Sequence, residues 1–337
     1  DGGVMSGETF NTKPLPGASF GGLIAVDDGH RFVEAVEARP EALPAAMDTH
    51  GGFLLIRGLH AISDHAELLV RLSHPFGAEV EDYAQTSNRS NLLHPEHSQI
   101  IRISNLAPMN FDPPELPDPP RLPDGGLPVQ FPQRRGWHTD QSFRRPPPDV
   151  SLFYAHQPSP KGQGQTLYAD GVGAYEALPL RLKAIADELQ GIHVAPFKGY
   201  GEDEIEAGKP LQVLNERDGP QPQPVVRIHP VTGKKALYLC EREQMDWVHG
   251  PFVGMEPGLH GDGAKLLYEL MTHFTADAFT YAHDWDASDL VIYDNRCLIH
   301  TATWFDAQNV GRVMWRTTVW GNPGPLYEGE QRSWEAA

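Results

Sequence analysis

The sequence predicts a mainly β protein, a sandwich or barrel with a few flanking helices. The chain has 33 glycines and 31 prolines among 337 residues, well above the average share of roughly 12% for the pair, which is typical of turn-rich folds. Short apolar segments of strand length also recur through its second half, and only a few helical stretches interrupt them. The length allows one large domain or two small ones, and we expect a single domain over residues 1–337.

The N-terminal third predicts an arm, a helix, a strand and a second helix. Residues 1–22 are rich in glycine, proline and threonine, and we expect an arm on the surface. Residues 31–47 have apolar side chains at helical spacings. Residues 53–56 form a buried strand between glycines, and Asp64 begins the second helix.

A proline-rich segment follows at residues 106–135. Its nine prolines leave almost no place for a sheet ladder or a helix. It can be an interdomain linker or a long loop packed over a site, because loops of this length are usually functional or disordered. We favour the substrate loop, since the strongest chemical motif begins directly after it.

Beyond Trp137 the pattern is mostly strands. They are predicted at residues 150–155, 166–168, 224–229, 236–239, 290–293 and 313–320. Two helices, with apolar residues at i, i+3 and i+4 spacings, are predicted at 173–189 and 261–274.

Charge and cysteine content exclude several classes of protein. The 27 basic and 45 acidic side chains give a net charge of −18, which argues against nucleic acid as a partner. No apolar run approaches the ~20 residues of a membrane span, and no signal peptide is evident. Cys240 and Cys297 cannot form a disulfide framework, so we expect a cytoplasmic protein.

Two histidines and one carboxylate form the candidate metal site. His138 and Asp140 are two residues apart, so both side chains share one face if the segment is extended. His300 lies 162 residues further on. Two histidines and one aspartate are the facial triad that binds non-haem Fe(II). The motif alone is weak in a chain with 16 histidines and 45 acidic residues.

Two arginines strengthen this interpretation. Arg312 and Arg316 are four residues apart on a predicted strand, so both point to the same side among apolar residues. A guanidinium directed into an apolar interior requires an anion. A dicarboxylate cosubstrate would supply one, whereas surface acids that neutralise both arginines are the alternative.

Several segments in the same order resemble one family. They are Gly-Trp-His-Thr-Asp-Gln-Ser-Phe at 136–143, Gly-Gln-Thr-Leu-Tyr-Ala-Asp-Gly at 164–171, Ala-Tyr-Glu-Ala-Leu at 174–178, Pro-Val-Val-Arg-Ile-His-Pro-Val-Thr-Gly-Lys at 224–234, Tyr-Asp-Asn-Arg at 293–296 with His300, and the Arg312/Arg316 segment. Together they resemble the TauD/TfdA group of Fe(II)/2-oxoglutarate-dependent dioxygenases. The resemblance covers about residues 50 to 325.

The resemblance implies roles for the metal and cosubstrate residues. His138, Asp140 and His300 would bind Fe(II). Arg312 would form a salt bridge with the distal carboxylate of 2-oxoglutarate, and Thr166 would add a hydroxyl hydrogen bond.

It also implies positions around the substrate. Arg316 would lie at the substrate and cosubstrate end of the pocket, and Gln141 and Phe143 would face substrate. Arg134 stands where the family has a substrate-contacting Asn. Residues 294–295 would set the turn that presents the second histidine.

The implied fold is a double-stranded β-helix, or jelly roll, with flanking helices. In the implied reaction, O2 drives the oxidative decarboxylation of 2-oxoglutarate to succinate and CO2. This step is coupled to hydroxylation, or a related C–H oxidation, of a small molecule. The alternatives are a metal-dependent hydrolase on a similar barrel, which has no use for the Arg312 and Thr166 pair, and a non-catalytic binding protein.

The substrate stays open at this point. The segment 76–83 is acidic where taurine dioxygenase has histidines, and the proline-rich segment is longer, so the sequence does not favour taurine. An anionic group that meets Arg316 or Arg134 and a larger neutral or aromatic metabolite are equally compatible. Homo-oligomerisation is common in such enzymes, and the sequence does not fix the number of subunits.

Overall fold

The computed structural model describes residues 10–111, 121, 123–124, 136–241 and 244–335. Within these residues the strands are β1 (Thr12–Pro14), β2 (Gly22–Ala25), β3 (Phe53–Arg57), β4 (Glu79–Val80), β5 (Ile101–Ser104), β6 (Val150–Gln157), β7 (Thr166–Asp170), β8 (Gln190–His193), β9 (Gln221–Pro224), β10 (Val226–Ile228), β11 (Lys235–Leu237), β12 (Thr280–His283), β13 (Leu290–Asp294), β14 (Leu298–Ala302) and β15 (Val313–Trp320). The helices are α1 (Gly29–Ala38), α2 (Ala42–Thr49), α3 (Ala61–Asp64), α4 (Glu67–Ser73), α5 (Tyr83–Thr86), α6 (Gly171–Glu176), α7 (Leu180–Asp187), α8 (Glu202–Glu206) and α9 (Asp262–Phe274).

One large sheet has the order β1-β2-β3-β13-β6-β15-β4, and β5 also pairs with β15. Its strands bury both faces, because alternate side chains enter two different cores. On β3, Leu54 and Ile56 join the cluster formed with the helices α1 to α4. Phe53 and Leu55 join a second cluster on the opposite face. The sheet therefore separates a helical layer from an inner space.

A second sheet, β12-β7-β14, faces that inner space. Tyr168 of β7 and Leu298 of β14 pack into the cluster that the large sheet supplies. Leu167 and Ile299, one residue away in each strand, pack outward with residues of α6, α7 and α9. The result is a two-sheet sandwich between helices, as predicted.

Two predicted helices are broken in the structure. The helix expected at 31–47 is α1 and α2, separated around Pro40, because proline lacks the N–H that a helix interior requires. The helix expected at 173–189 is α6 and α7, with Pro179 directly before α7. Asp64 does not begin a helix: it ends α3, and α4 begins at Glu67.

The predicted strands agree with the structure except in one region. The strands at 150–155, 166–168, 290–293 and 313–320 are confirmed as parts of β6, β7, β13 and β15. The strand expected at 224–229 is divided: β9 ends at Pro224 and pairs with β8, whereas β10 pairs with β11. The strand expected at 236–239 is β11, which begins one residue and ends two residues earlier.

The N-terminal arm is more than a surface wrap over its described part. β1 adds an edge strand to β2, and Leu15 and Phe20 are buried. Most of the proline-rich segment, residues 112–120, 122 and 125–135, lies outside the described residues. Among the helices that are described, none combines the length and apolar character that crossing a membrane requires.

Candidate active site

The two histidines of the predicted triad are neighbours in the backbone ladder. His138 and His300 form an antiparallel bridge and exchange both backbone hydrogen bonds, at 2.9 and 2.8 Å. Side chains of such a pair lie on the same side of the sheet. Their ring centroids are 4.3 Å apart. The ladder therefore brings together two side chains that are distant in sequence.

Asp140 completes the triad. Its Oδ1 lies 3.8 Å from His138 Nε2 and 3.4 Å from His300 Nε2. One ligand atom from each of the three residues lies within 4.8 Å of the others. This donor set of two imidazole nitrogens and one carboxylate oxygen suits a divalent transition metal with open coordination positions.

Both imidazoles can present a free Nε2 lone pair. His138 Nδ1 donates a hydrogen bond to the carbonyl of Gly136 at 2.6 Å, which fixes the tautomer. Burial, together with the charge of His138, lowers the pKa of His300 to about 3. His300 is therefore neutral at neutral pH, the form that binds metal.

Two hydroxyl groups orient the carboxylate of Asp140. Its Oδ2 accepts hydrogen bonds from Ser151 at 2.7 Å and Tyr293 at 2.6 Å. Asn295 supports Ser151 and Asp140 itself, since its Nδ2 donates to Ser151 Oγ at 2.9 Å and its Oδ1 accepts from the Asp140 amide at 3.1 Å. Oδ1 of Asp140 is thus the oxygen turned towards the imidazoles. Sequence reasoning gave no role to Ser151, which no motif marks, or to Tyr293, which appeared only as part of the 293–296 segment.

Arg316 contacts the triad directly. Its Nη1 lies 3.2 Å from Asp140 Oδ1. Burial opposes ionisation of both groups, but their mutual attraction outweighs it, so the pKa of Asp140 falls and that of Arg316 rises. The Asp140 carboxylate is ionised at neutral pH, and the structure places Arg316 at the metal end of the site.

Arg312 is different, because its charge has no counterion in the part of the chain that the structure describes. The residue is only 7% exposed, and its guanidinium lies 5.9 Å from the ring centroids of Phe153 and Phe305. Its Nε has no hydrogen-bond partner, and no ion pair among the described residues includes it. Burial lowers the pKa of Arg312 to about 10. A buried cation of this kind is costly unless an anion pairs with it, so the position suits an anionic ligand.

Both arginines face the space between the sheets. In β15 the even-numbered Met314 packs into the inner core, while Trp315 packs towards the helices. Arg316 is two residues from Met314, so its side chain points to the same face of β15. Arg312 is two residues before Met314, directly before the strand begins, and points to the same side. Thr166 of β7 is buried, and its Oγ1 accepts from Trp285 Nε1 at 2.9 Å, which leaves the hydroxyl proton free to donate.

The predicted substrate residues meet different surroundings. Gln141 follows the triad aspartate with a φ of 50°, and its Nε2 donates to Glu81 Oε2 at 2.8 Å. Glu81, from the acidic segment, is buried and also pairs with Arg144 at 3.2 Å. Phe143 is half-buried, and Arg134 lies outside the described residues.

A second cluster of potential ligands is structural. His229, Asp294 and Cys297 also lie within 4.8 Å of one another. His229 Nδ1 accepts two backbone N–H groups at 3.2 and 3.1 Å, so the proton is on Nε2, which donates to Asp294 at 2.8 Å. Both carboxylate oxygens of Asp294 also accept from Arg296 at 2.8 Å. This network stabilises the turn between β13 and β14.

A two-sheet sandwich that holds a His-Asp-His triad and a buried arginine matches the class of 2-oxoglutarate-dependent non-haem iron oxygenases. The model of the taurine catabolism dioxygenase TauD, TfdA family matches residues 11–318. The chain belongs to this family.

Three similar proteins illustrate the relationship. (S)-phenoxypropionate/alpha-ketoglutarate-dioxygenase of Sphingobium herbicidovorans is 33% identical over 191 residues, which are 56% of this chain and 63%, less than two thirds, of that protein. Pentalenolactone F synthase of Streptomyces arenae is 28% identical over 307 residues, 88% of this chain and 91% of that one. The crystal structure of AAD-2 in complex with Mn(II) and N-oxalylglycine has a TM-score of 0.70 at 27% identity and covers 93% of this chain and 98% of that one. The predicted jelly roll is confirmed, and the family favours a dioxygenase over a hydrolase.

Proposed function

We propose that this protein is a cytoplasmic, single-domain Fe(II)/2-oxoglutarate-dependent dioxygenase that oxidises a C–H bond of a small organic anion. The observation that carries the proposal is the buried guanidinium of Arg312, which has no counterion among the described residues, in a sandwich that also holds the His-Asp-His triad. A hydrolase needs the metal and a water molecule but no second, anionic ligand. The two cysteines, both buried and free, support the compartment.

His138, Asp140 and His300 would hold Fe(II). Arg312 and Thr166 would bind the distal carboxylate of 2-oxoglutarate, because both offer donors without an acceptor of their own. When bound, iron, 2-oxoglutarate and O2 supply the oxidising power for C–H cleavage and yield succinate and CO2.

The other side chains act on orientation and charge. Tyr293 and Ser151 hold one carboxylate oxygen of Asp140, so the second oxygen is available to the metal. Arg316 keeps that carboxylate ionised and adds positive charge where the cosubstrate's other carboxylate would approach. The apolar walls of the two sheets exclude bulk water, which strengthens each of these interactions.

A pocket of about 440 Å³ supports the anionic substrate. Three cationic side chains, Arg144, Lys198 and Arg217, line it together with one carboxylate, that of Asp218. Arg144 is paired with a carboxylate, whereas none of the ion pairs in the described part of the chain includes Lys198 or Arg217. The triad residues do not line this pocket; its link to the site is Arg144, which donates its backbone N–H to Gln141, the residue after Asp140. In addition, the (S)-phenoxypropionate enzyme is named for a carboxylate.

The reaction class is tested by succinate release from 2-oxoglutarate under air with Fe(II). We expect slow release without substrate from the parent protein and none from His138→Ala. His249→Ala, which removes an exposed imidazole that bonds to Asp246, is the matched control and should retain the activity. If the folded, iron-loaded parent releases no succinate and shows no visible charge-transfer band with 2-oxoglutarate under anaerobic conditions, the proposal is wrong.

The substrate class is tested with carboxylic acids and their neutral amides. Acids, but not amides, should stimulate succinate release. In the double variant Lys198→Gln/Arg217→Gln, KM for the best acid should rise about tenfold or more, while release without substrate stays unchanged. Equal stimulation by acid and amide would instead indicate a neutral substrate.

A further inference from the structure

Tyr168 of β7 carries a polar group that the roles above do not use. The side chain is fully buried. Its hydroxyl has no hydrogen-bond partner in the described part of the chain. By contrast, the hydroxyls of Tyr293 and Tyr281 donate to or pair with named side chains. A buried hydroxyl without a partner is costly, and such groups in native proteins usually meet a ligand or water.

The strand register places this hydroxyl in the site. Tyr168 is directly opposite His300 in the β7–β14 ladder, and their ring centroids are 5.9 Å apart. The ring of Tyr293 lies 5.4 Å from that of Tyr168 and 4.7 Å from that of His300, so the three rings form one cluster. Thr166 lies two residues earlier on the same strand, so the two side chains share the face turned to the inner space.

The surrounding charges locate the hydroxyl along the site. Asp140 and Arg312 both act on it electrostatically, and Tyr168 is the titratable neighbour that acts on Arg312. The phenol thus lies within electrostatic range of both the triad aspartate and the Arg312 guanidinium. Burial raises the pKa of Tyr168 well above its ordinary value, so the hydroxyl stays protonated and can donate.

We propose that the Tyr168 hydroxyl donates a hydrogen bond to the distal carboxylate of 2-oxoglutarate, beside Arg312 and Thr166. This inference rests on the proposed function. A carboxylate accepts about four hydrogen bonds, so one guanidinium and two hydroxyls suit a single carboxylate without excess donors. Tyr168 is then a cosubstrate-binding residue whose own requirement for an acceptor is met only when the cosubstrate is present.

The test compares Tyr168→Phe with the parent chain. The variant removes one oxygen atom and keeps the ring. N-oxalylglycine, a dicarboxylate inhibitor, is titrated calorimetrically into each Mn(II)-loaded protein. We expect the dissociation constant to rise about tenfold, because the lost bond is to a charged group. The melting temperature of the ligand-free variant should be equal to or above that of the parent, since the hydroxyl has no partner there.

Tyr281→Phe is the matched control. Tyr281 of β12 lies directly opposite Tyr168 in the β12–β7 ladder, but its hydroxyl has a partner, His283 Nδ1, at 3.0 Å. Its loss should lower the melting temperature and leave the N-oxalylglycine affinity unchanged.

Three outcomes would overturn the inference. Equal affinity of Tyr168→Phe and parent for N-oxalylglycine would exclude the hydrogen bond. A clearly lower melting temperature of the ligand-free variant would mean that the hydroxyl has a partner within the protein. Failure of the parent itself to bind N-oxalylglycine and to release succinate would remove the proposed function together with the inference.

Discussion

Replacing Arg312 with methionine removes a buried charge and leaves an apolar chain of similar reach between Phe153 and Phe305. Burial moves the pKa of Arg312 from its ordinary value of 12.5 to about 10. At 1.36 kcal/mol for each pKa unit, the folded protein without cosubstrate carries a penalty of about 3 kcal/mol for this charge. We therefore expect Arg312→Met to be more stable than the parent by up to about 3 kcal/mol.

The assay is thermal unfolding with and without ligand. Unfolding entropies of about 2.1 cal/mol/K per residue give about 0.7 kcal/mol/K for a chain of this length, so the melting temperature should rise by up to about 4 °C. With Mn(II) and N-oxalylglycine bound, the melting temperature of the variant should be below that of the parent, because the variant loses the partner of the ligand's carboxylate. We expect its affinity to fall at least about 100-fold, from the cost of truncating a buried charged pair.

Arg316→Met is the matched control, with the opposite sign. It removes the guanidinium 3.2 Å from the buried Asp140 carboxylate, so the ligand-free protein should lose about 3–5 kcal/mol. If Arg312→Met instead destabilises the ligand-free protein and binds N-oxalylglycine like the parent, the guanidinium is neutralised within the folded chain. The assignment of Arg312 to a cosubstrate would then be refuted.

Three further perturbations test the surroundings of the site. Tyr293→Phe removes a hydroxyl that orients Asp140, and the dissociation constant for Mn(II), measured by calorimetry, should rise about 10- to 100-fold; an unchanged constant would contradict that role. Asp294→Asn removes the charge that pairs with the buried Arg296, and the free energy of unfolding measured in urea should fall by about 3–5 kcal/mol; a loss below about 1 kcal/mol would contradict this role. Burial lowers the pKa of His193 from 6.5 to about 3. Between these pH values only the unfolded chain binds this proton, so the free energy of unfolding should decrease as the pH is lowered, by up to about 1.4 kcal/mol per pH unit. In His193→Gln the free energy of unfolding should depend less steeply on pH, and equal slopes for variant and parent would exclude this histidine as the cause.

The sequence predicted the metal triad better than the residues that orient and neutralise it. His138, Asp140 and His300 come together in the structure, since metal-ligand residue types recur in a short, order-specific pattern. Arg312 and Arg316 point to one side, because strand alternation is a property of the backbone. Their different environments, one paired with Asp140 and one unpaired, depend on tertiary contacts that no spacing encodes.

The remaining features arise from packing between distant segments. Ser151 and Tyr168 have no local signature, and their importance follows from which atoms lie opposite them across the sheets. Helix boundaries were wrong where a proline interrupts an otherwise periodic pattern, as at Pro40. The short strand β14, which carries the second histidine, was not predicted as a strand, since its sequence Leu-Ile-His-Thr-Ala has neither a strict alternation nor a long apolar run.

The backbone bridge between His138 and His300 closes a segment of 162 residues. The two histidines come together only when this long-range bridge has formed, so the unfolded chain has no comparable metal site. Binding energy of the metal is then added entirely to the folded state. Iron scarcity should therefore shorten the lifetime of this protein in the cell, because the metal-free form opens more often to proteases. Abundance, as well as activity, would follow the supply of the metal.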